Sequence, residues 1–431
     1  MVLAVFAVVY LGMFLGELPR LQVDRAGLAL LGAIALLVSG AVTLEQAVAH
    51  VDVPTLALLF GMMVLSAQLR MGGVYAALTR RVGGLVVRRR AEGSTDLAHG
   101  VVAPRLLAVV VALVGTLSAV FTNDIVALAV SPVVVALCLE RELDPVPFLL
   151  AVACAANVGS AATLVGNPQN ILVGQALGLS FVGYLARAAL PSALGLAVVW
   201  GVVARSYRGR WARPGAPETT RETASLDPGE TGLGGVPLIP HFHTWQAAKG
   251  LALAAAAMAC FLFTPWPREL VALAAAGIVL TSRRFHSRDM LGLVDWQLLV
   301  LFMGLFVVNG ALADTGLVER AVGALEARGV DPAHPGWLFA LSVGLSNTVS
   351  NVPAVMLLLP VVEGDTLGAL LALSSTLAGN LIIVGSIANI IVVEQARAAG
   401  ITVDWRTHAR VGVPVTLLTL ALSAAALAVM P

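Results

Sequence analysis

Apolar residues in this chain fall into long runs, and the places where the runs break are as informative as the runs. Eight runs are continuous, at about residues 2–18, 27–41, 54–69, 185–204, 245–263, 270–281, 296–313 and 411–430. A helix of ~20 apolar residues crosses a ~30 Å hydrocarbon layer, so each run is expected to span a membrane, the shorter ones extending into their flanks. Four further stretches are apolar at both ends and polar or helix-breaking in the middle. Residues 106–139 break at Thr122-Asn123-Asp124, and residues 148–177 at Gly166-Asn167-Pro168-Gln169-Asn170. Residues 337–362 break from Ser346-Asn347-Thr348 to Asn351-Val352-Pro353, and residues 367–396 around Gly379-Asn380 and Gly385-Ser386.

The second half of the chain repeats the first. Val51-Asp52, Gly61, Leu69 and Gly73 recur 243 positions later as Val294-Asp295, Gly304, Leu312 and Gly316. Ser118, Asn123 and Pro132 recur 228 positions later as Ser346, Asn351 and Pro360, and Gly166, Asn170 and Ile171 recur 219 positions later as Gly385, Asn389 and Ile390. The fold expected is therefore an all-α membrane protein of two inverted-topology repeats, each with three helices, a re-entrant helical hairpin, a broken helix and a final helix. Residues 1–206 form the N-terminal repeat and 245–431 the C-terminal one. Residues 207–244, rich in Pro, Gly, Thr and Glu without periodicity, read as a linker.

Charge orients this arrangement. If the hairpins return to the side they entered from and the broken helices cross once, each half makes five crossings and the halves sit in opposite orientation. Of the 26 basic residues all but Arg187, Arg268, Arg320 and Arg328 then face one side. The positive-inside rule makes that side the cytoplasm, with the linker inside and both termini outside a bacterial or archaeal inner membrane. Two full crossings per hairpin would give the same count, so charge supports the inversion without requiring re-entrance.

Composition agrees. Of the 431 residues 58% are hydrophobic and 12% charged, with a mean hydropathy of +0.91, too much apolar surface for water to cover. A net charge of +1 argues against a nucleic-acid partner. Cys138, Cys154 and Cys260 lie apart inside apolar runs, which gives neither a disulfide framework nor a metal motif. All seven histidines are expected in loops or the linker as solvated residues. No HExxH or GxSxG motif is present, so an intramembrane enzyme is not expected, and neither is a cofactor.

Inside lipid an unpaired backbone group costs several kcal/mol, so an unwound segment persists only inside protein or beside a wet cavity. Four such segments at repeated positions predict a binding site near the midplane, with helix N-termini offered to an anion and side-chain oxygens to a cation. The candidates are Thr122, Asn123, Asp124, Asn167, Gln169, Asn170, Ser346, Asn347, Thr348, Asn351, Asn380, Ser386 and Asn389, with a sodium site near Asn123, Asp124 and Asn167. Asp124 is the one carboxylate at either hairpin tip, and its repeat counterpart is Val352. Desolvation favours its neutral form and a bound cation its charged form, so protons and cations would compete there. Asp124 also suits a cap for a helix starting at Ile125, and the asparagines suit caps or interhelical packing bonds.

The run Thr122-Asn123-Asp124-Ile125-Val126-Ala127-Leu128, followed by Ser131-Pro132, resembles the ion transporter superfamily, and within it the arsenite permease, NhaD-type antiporter and citrate transporter-like group. Gly166-Asn167-Pro168-Gln169-Asn170-Ile171 resembles the second signature of its inorganic-anion branch, and Ser346-Asn347-Thr348 is similar to the Ser-Asn-Thr element of sodium/dicarboxylate carriers. The resemblance covers nearly all of the chain outside the linker. It implies an elevator-like carrier, a homodimer with a scaffold domain and a mobile domain, in which Asn123, Asp124, Asn167, Asn170, Asn347, Thr348 and Asn351 contact substrate or ion. Two departures matter: antiporters of this group carry more acidic residues at membrane depth than Asp124 alone, and no Arg or Lys lies in the expected core. The function expected is secondary transport of a small inorganic anion, arsenite or antimonite first, coupled to protons or sodium. The alternatives are sodium/proton antiport and sodium-coupled di- or tricarboxylate transport.

Overall fold

The computed structural model describes residues 1–15, 23–86, 95–212 and 241–429. Residues 213–240 of the expected linker, residues 16–18 of the first expected span, and Arg20, Arg88, Arg89, Arg90, Arg213 and Arg221 of the charge count lie outside the described residues. Twenty α-helices and no strand occur among the described residues. The first ten are α1 (Val2–Leu15), α2 (Arg25–Val38), α3 (Leu44–His50), α4 (Val53–Met71), α5 (Val74–Val86), α6 (Thr95–Val120), α7 (Asn123–Leu139), α8 (Pro145–Ser160), α9 (Pro168–Ala176) and α10 (Phe181–Ser206). The second ten are α11 (Thr244–Phe263), α12 (Arg268–Leu280), α13 (Ser287–Leu291), α14 (Trp296–Asp314), α15 (Leu317–Glu326), α16 (Pro335–Val349), α17 (Asn351–Leu358), α18 (Gly364–Ala378), α19 (Ile387–Ala398) and α20 (Trp405–Val429).

The helices keep the three offsets of the sequence repeat. The starts of α2, α4 and α5 at Arg25, Val53 and Val74 map onto those of α12, α14 and α15 at Arg268, Trp296 and Leu317, by the shift that carries Gly61 to Gly304. The start of α7 maps onto that of α17 by the shift of the second block, and the starts of α8 and α9 map onto those of α18 and α19 by the shift of the third. Six helices among the described residues are long and apolar enough to cross a membrane: α4, residues 102–120 of α6, α10, α11, α14 and α20. The structure departs from the three-helix expectation by adding α3 and α5 to the first half and α13 and α15 to the second. These helices mix polar and apolar residues over short lengths, so they lack the long run that marks a span. α3 is held by a Thr43–Gln46 capping box, and α15 buries no residue.

Packing follows the repeat as well. α4 lies against α12, and its counterpart α14 lies against α2. At the first crossing a Cβ on Gly61 would fall 2.6 Å from the Ala272 backbone; at the second a Cβ on Gly304 would fall 2.5 Å from the Ala29 backbone. Gly304 is the repeat counterpart of Gly61, and Ala272 stands in the same relation to Ala29, so the two contacts are reciprocal residue for residue, the pattern of an isologous interface.

α10, with 26 residues and so about 39 Å long, gives a ruler for the rest. Its C-terminal end meets the start of α8, because Leu143 bridges to Ala212 and the Asp144 N–H donates to the Trp211 carbonyl at 2.8 Å. The spanning part of α6, which begins at Val102, starts at the same end, where Trp200 Nε1 donates to the Pro104 carbonyl at 2.9 Å. Hairpin α6–α7 therefore leaves and returns at one end of α10. α18 begins at the other end, where Asp365 Oδ2 lies 3.7 Å from Arg187 Nη1.

Candidate functional site

The interruptions fall where the polar clusters predict them. α6 gives way to α7 at Phe121-Thr122, α8 to α9 over residues 161–167, α16 to α17 at Ser350, and α18 to α19 over residues 379–386. Thr122, Asn167, Ser350 and Ser386 are the N-caps of α7, α9, α17 and α19, and none of their side chains bonds to its own helix. Asp24, Asp52, Asp144, Ser180 and Asp295 make such bonds, whereas His243, Pro267, His286, Gly316 and Glu363, away from the cavity, do not. The starts of α7, α9, α17 and α19 thus keep amide groups and positive dipole ends free of a side-chain cap. All four converge on one small cavity. Asn123 and Asp124 line it from α7; Asn167, Pro168 and Gln169 from α9; Ser350, Asn351 and Val352 from α17; Ser386 and Ile387 from α19. Leu298, in the first turn of α14, closes it from outside these four helices.

Ser350 has φ 78° and ψ 161°, a region that side chains rarely occupy and that costs of order 1–3 kcal/mol. The strain sits at the tip of hairpin α16–α17, where the chain must reverse beside the cavity. Asp124 is the only charged side chain among the lining residues. The Asp295 carboxylate, which caps α14 through the Leu298 N–H at 2.9 Å, lies within electrostatic range of it.

Behind the lining the asparagines tie the breaks together. Asn170 Nδ2 donates to the carbonyls of Ser160 at 3.2 Å and Thr163 at 3.1 Å. Asn389 Nδ2 repeats the pattern on Gly379 at 2.8 Å and Ile382 at 3.2 Å. Each therefore satisfies carbonyls left open where the preceding helix ends. The first hairpin tip docks on the first break, because the Asn123 N–H donates to the Gly166 carbonyl at 3.0 Å. With its amide nitrogen turned inward, Asn351 donates to the carbonyls of Ser375 at 3.1 Å and Gly385 at 3.3 Å. Asn380 Oδ1 accepts from Asn157 Nδ2 at 2.9 Å.

Six of the sequence candidates line the cavity: Asn123, Asp124, Asn167, Gln169, Asn351 and Ser386. Thr122, Asn170, Asn380 and Asn389 are buried behind it. Thr122 Oγ1 and Asn123 Oδ1 are buried with no partner among the described residues. The Ser346-Asn347-Thr348 cluster stays on α16, outside the cavity lining. Thr348 is exposed and donates to its own helix at the Gly344 carbonyl, Asn347 does the same at Val343, and the Ser346 hydroxyl is buried without a partner among the described residues.

The histidine expectation needs correction. His50 ends α3, His99 lies within α6 and His408 within α20, not in loops. His408 is buried, with Nε2 3.0 Å from the Asn380 carbonyl. At the matching place in the first half, three residues after the first residue of α10 as His408 is in α20, stands Tyr184, whose hydroxyl donates to the Ala161 carbonyl at 2.9 Å. Asn380 in turn is the counterpart of Ala161, by the shift that carries Asn170 to Asn389, so both halves use a ring to hold the carbonyl that follows the broken helix. Two hubs were also missed: Asn157 in α8 and its counterpart Thr376 in α18. The offset that pairs Asn170 with Asn389 would have found both.

Residues 1–371 match the citrate transporter family model. The chain is 30% identical over 390 residues to an uncharacterized transporter of Mycobacterium tuberculosis, covering 87% of this chain and 86% of that one. It is 30% identical over 476 residues to a silicon efflux transporter of rice, Oryza sativa subsp. japonica, covering 94% and 93%. The crystal structure of the YdaH transporter of Alcanivorax borkumensis shares the fold, with a TM-score of 0.54 at 16% identity over 99% of this chain and 96% of that one. Together with the apolar spans, the match over residues 1–371 shows that this chain is a multi-pass membrane transporter belonging to the citrate transporter family.

Proposed function

We propose that this transporter carries a small oxyanion or its undissociated acid, with arsenite or antimonite as the first candidates, coupled to protons or sodium. The observation that carries the reading is the convergence of four uncapped helix N-termini on a cavity where Asp124 is the only charged side chain among the described residues. Amide N–H groups and carboxamides suit the oxygens of such a solute. Asp124 would repel a full anion, so it serves a coupling cation or accepts a hydrogen bond from a hydroxyl of an undissociated acid. The rice relative is named for silicon efflux, and silicic and arsenous acids are both small, hydroxylated and undissociated at neutral pH. Citrate, which names the family, carries several carboxylates, and no Arg or Lys among the described residues lines the cavity to receive them.

Alternating access would move the hairpins and broken helices against α2, α4, α12 and α14, as the elevator-like resemblance implies. The starts of α8 and α18 at opposite ends of α10 support inverted halves. On that reading the basic face and the linker are cytoplasmic in an inner membrane, and the carrier works as a homodimer.

Proteoliposomes loaded with arsenite, silicic acid or citrate test the proposal. Gradient-driven movement of arsenite or silicic acid is expected, with citrate slower by at least an order of magnitude. Citrate as the preferred solute, or sodium/proton exchange that needs no solute, would overturn it.

A further inference from the structure

The residue that does most to join the two halves at the cavity does not line it. Asn157, in the last turn of α8, is fully buried. Its Oδ1 accepts from Asn123 Nδ2 at 3.0 Å and Ser386 Oγ at 2.8 Å, and its Nδ2 donates to Asn380 Oδ1 at 2.9 Å and Asn389 Oδ1 at 3.1 Å. A carboxamide offers two acceptor positions and two donors, so the group is saturated. Asn123 opens α7 and Ser386 caps α19, and both line the cavity from different halves. One side chain therefore fixes the spacing of two helix N-termini that no backbone segment joins directly.

The counterpart hub is built differently. Thr376 Oγ1 accepts from Gln169 Nε2 at 3.0 Å and donates to Asn170 Oδ1 at 2.9 Å, so it reaches only the first break. A hydroxyl has a single donor and cannot replace the four-way junction at Asn157.

We infer that Asn157 is the positioning residue of the solute site, holding Asn123 and Ser386 in register across the two halves without touching the solute. The inference rests on reading the cavity as that site. It predicts a loss confined to the segments Asn157 joins, the tip before α7 and the break that leads into α19, unlike the general loosening expected of a packing residue.

The test uses the purified full chain with arsenite and silicic acid as probes, and the variants Asn157→Ala and Asn157→Thr. Hydrogen exchange should accelerate in peptides covering residues 121–126 and 385–389 and stay at the native rate in α4 and α14. Arsenite affinity should fall at least tenfold in Asn157→Ala and by less in Asn157→Thr. Adding Ser386→Ala to Asn157→Ala should weaken binding further by less than it weakens the native protein, because the two residues act as one unit. Native exchange in both segments, or additive losses, would overturn the inference. Should Asn157→Ala fail to fold, Asn157→Thr carries the same exchange and cycle measurements. If the native protein binds neither arsenite nor silicic acid while both segments loosen in the variants, the hub stands and the substrate reading falls.

Discussion

Asp124 sits in the first turn of α7, where a carboxylate favours the helix dipole, and also faces the cavity among neutral amides. The two roles separate in Asp124→Asn, which keeps the shape and removes the charge. Its thermal midpoint is expected to match the native protein while gradient-coupled transport in proteoliposomes is lost; normal transport would leave Asp124 with the helix alone. His408 calls for a different pair of substitutions. His408→Phe leaves the buried Asn380 carbonyl without the ring donor, an omission that costs about 1–3 kcal/mol. His408→Tyr installs the hydroxyl that Tyr184 uses in the other half and should recover part of that loss in a denaturation series. Equal midpoints for Phe and Tyr would show that the ring matters only for packing. The residue was misplaced because the apolar run begins at Val411, whereas the helix begins at Trp405.

At the scale of elements, the breaks were legible because each places Asn, Pro or Gly inside an otherwise apolar run, and only buried or wet backbone tolerates that. α3, α5, α13 and α15 were not legible, since a short helix of mixed polarity gives no run to recognise. Which candidates would meet was only partly written in the chain. Asn123 and Asn167 reach the cavity, yet Thr348, just before the Ser350 turn, points away from it, because the direction of a side chain depends on where α16 ends. The crossings of α4 on α12 and α14 on α2 carry their own prediction. With backbone at 2.6 and 2.5 Å from the added Cβ positions, Gly61→Val and Gly304→Val must push whole helices apart. Each should destabilise by about 1–3 kcal/mol or more, and by similar amounts, since the two sites are repeats of one contact. A large effect at one and none at the other, in midpoints of the purified proteins, would break the equivalence.

In the whole molecule the two halves share helix order but not exposure. Thr163 and Val165, between α8 and α9, are 6% and 0% exposed; Ile382 and Val384, at the same places between α18 and α19, are 38% and 51% exposed. α9 packs against α4, while on the other side the cavity lies between the start of α19 and Leu298 of α14. The halves also differ in sequence, Asp124 standing opposite Val352, so the difference is either fixed by sequence or belongs to the conformation adopted. If transport exchanges the roles of the halves, a second state should bury the 382–384 segment and open the 163–165 segment. Single cysteines at 165 and 384 test this in a background with Cys138, Cys154 and Cys260 replaced. Val384→Cys is expected to react quickly with a soluble thiol reagent and Val165→Cys slowly in the state described here, with the order reversing under a solute or ion gradient that drives the carrier to its other state. A reactive position 384 and a protected position 165 under every gradient and solute would mean that the asymmetry is fixed, and that the halves do not exchange roles during transport.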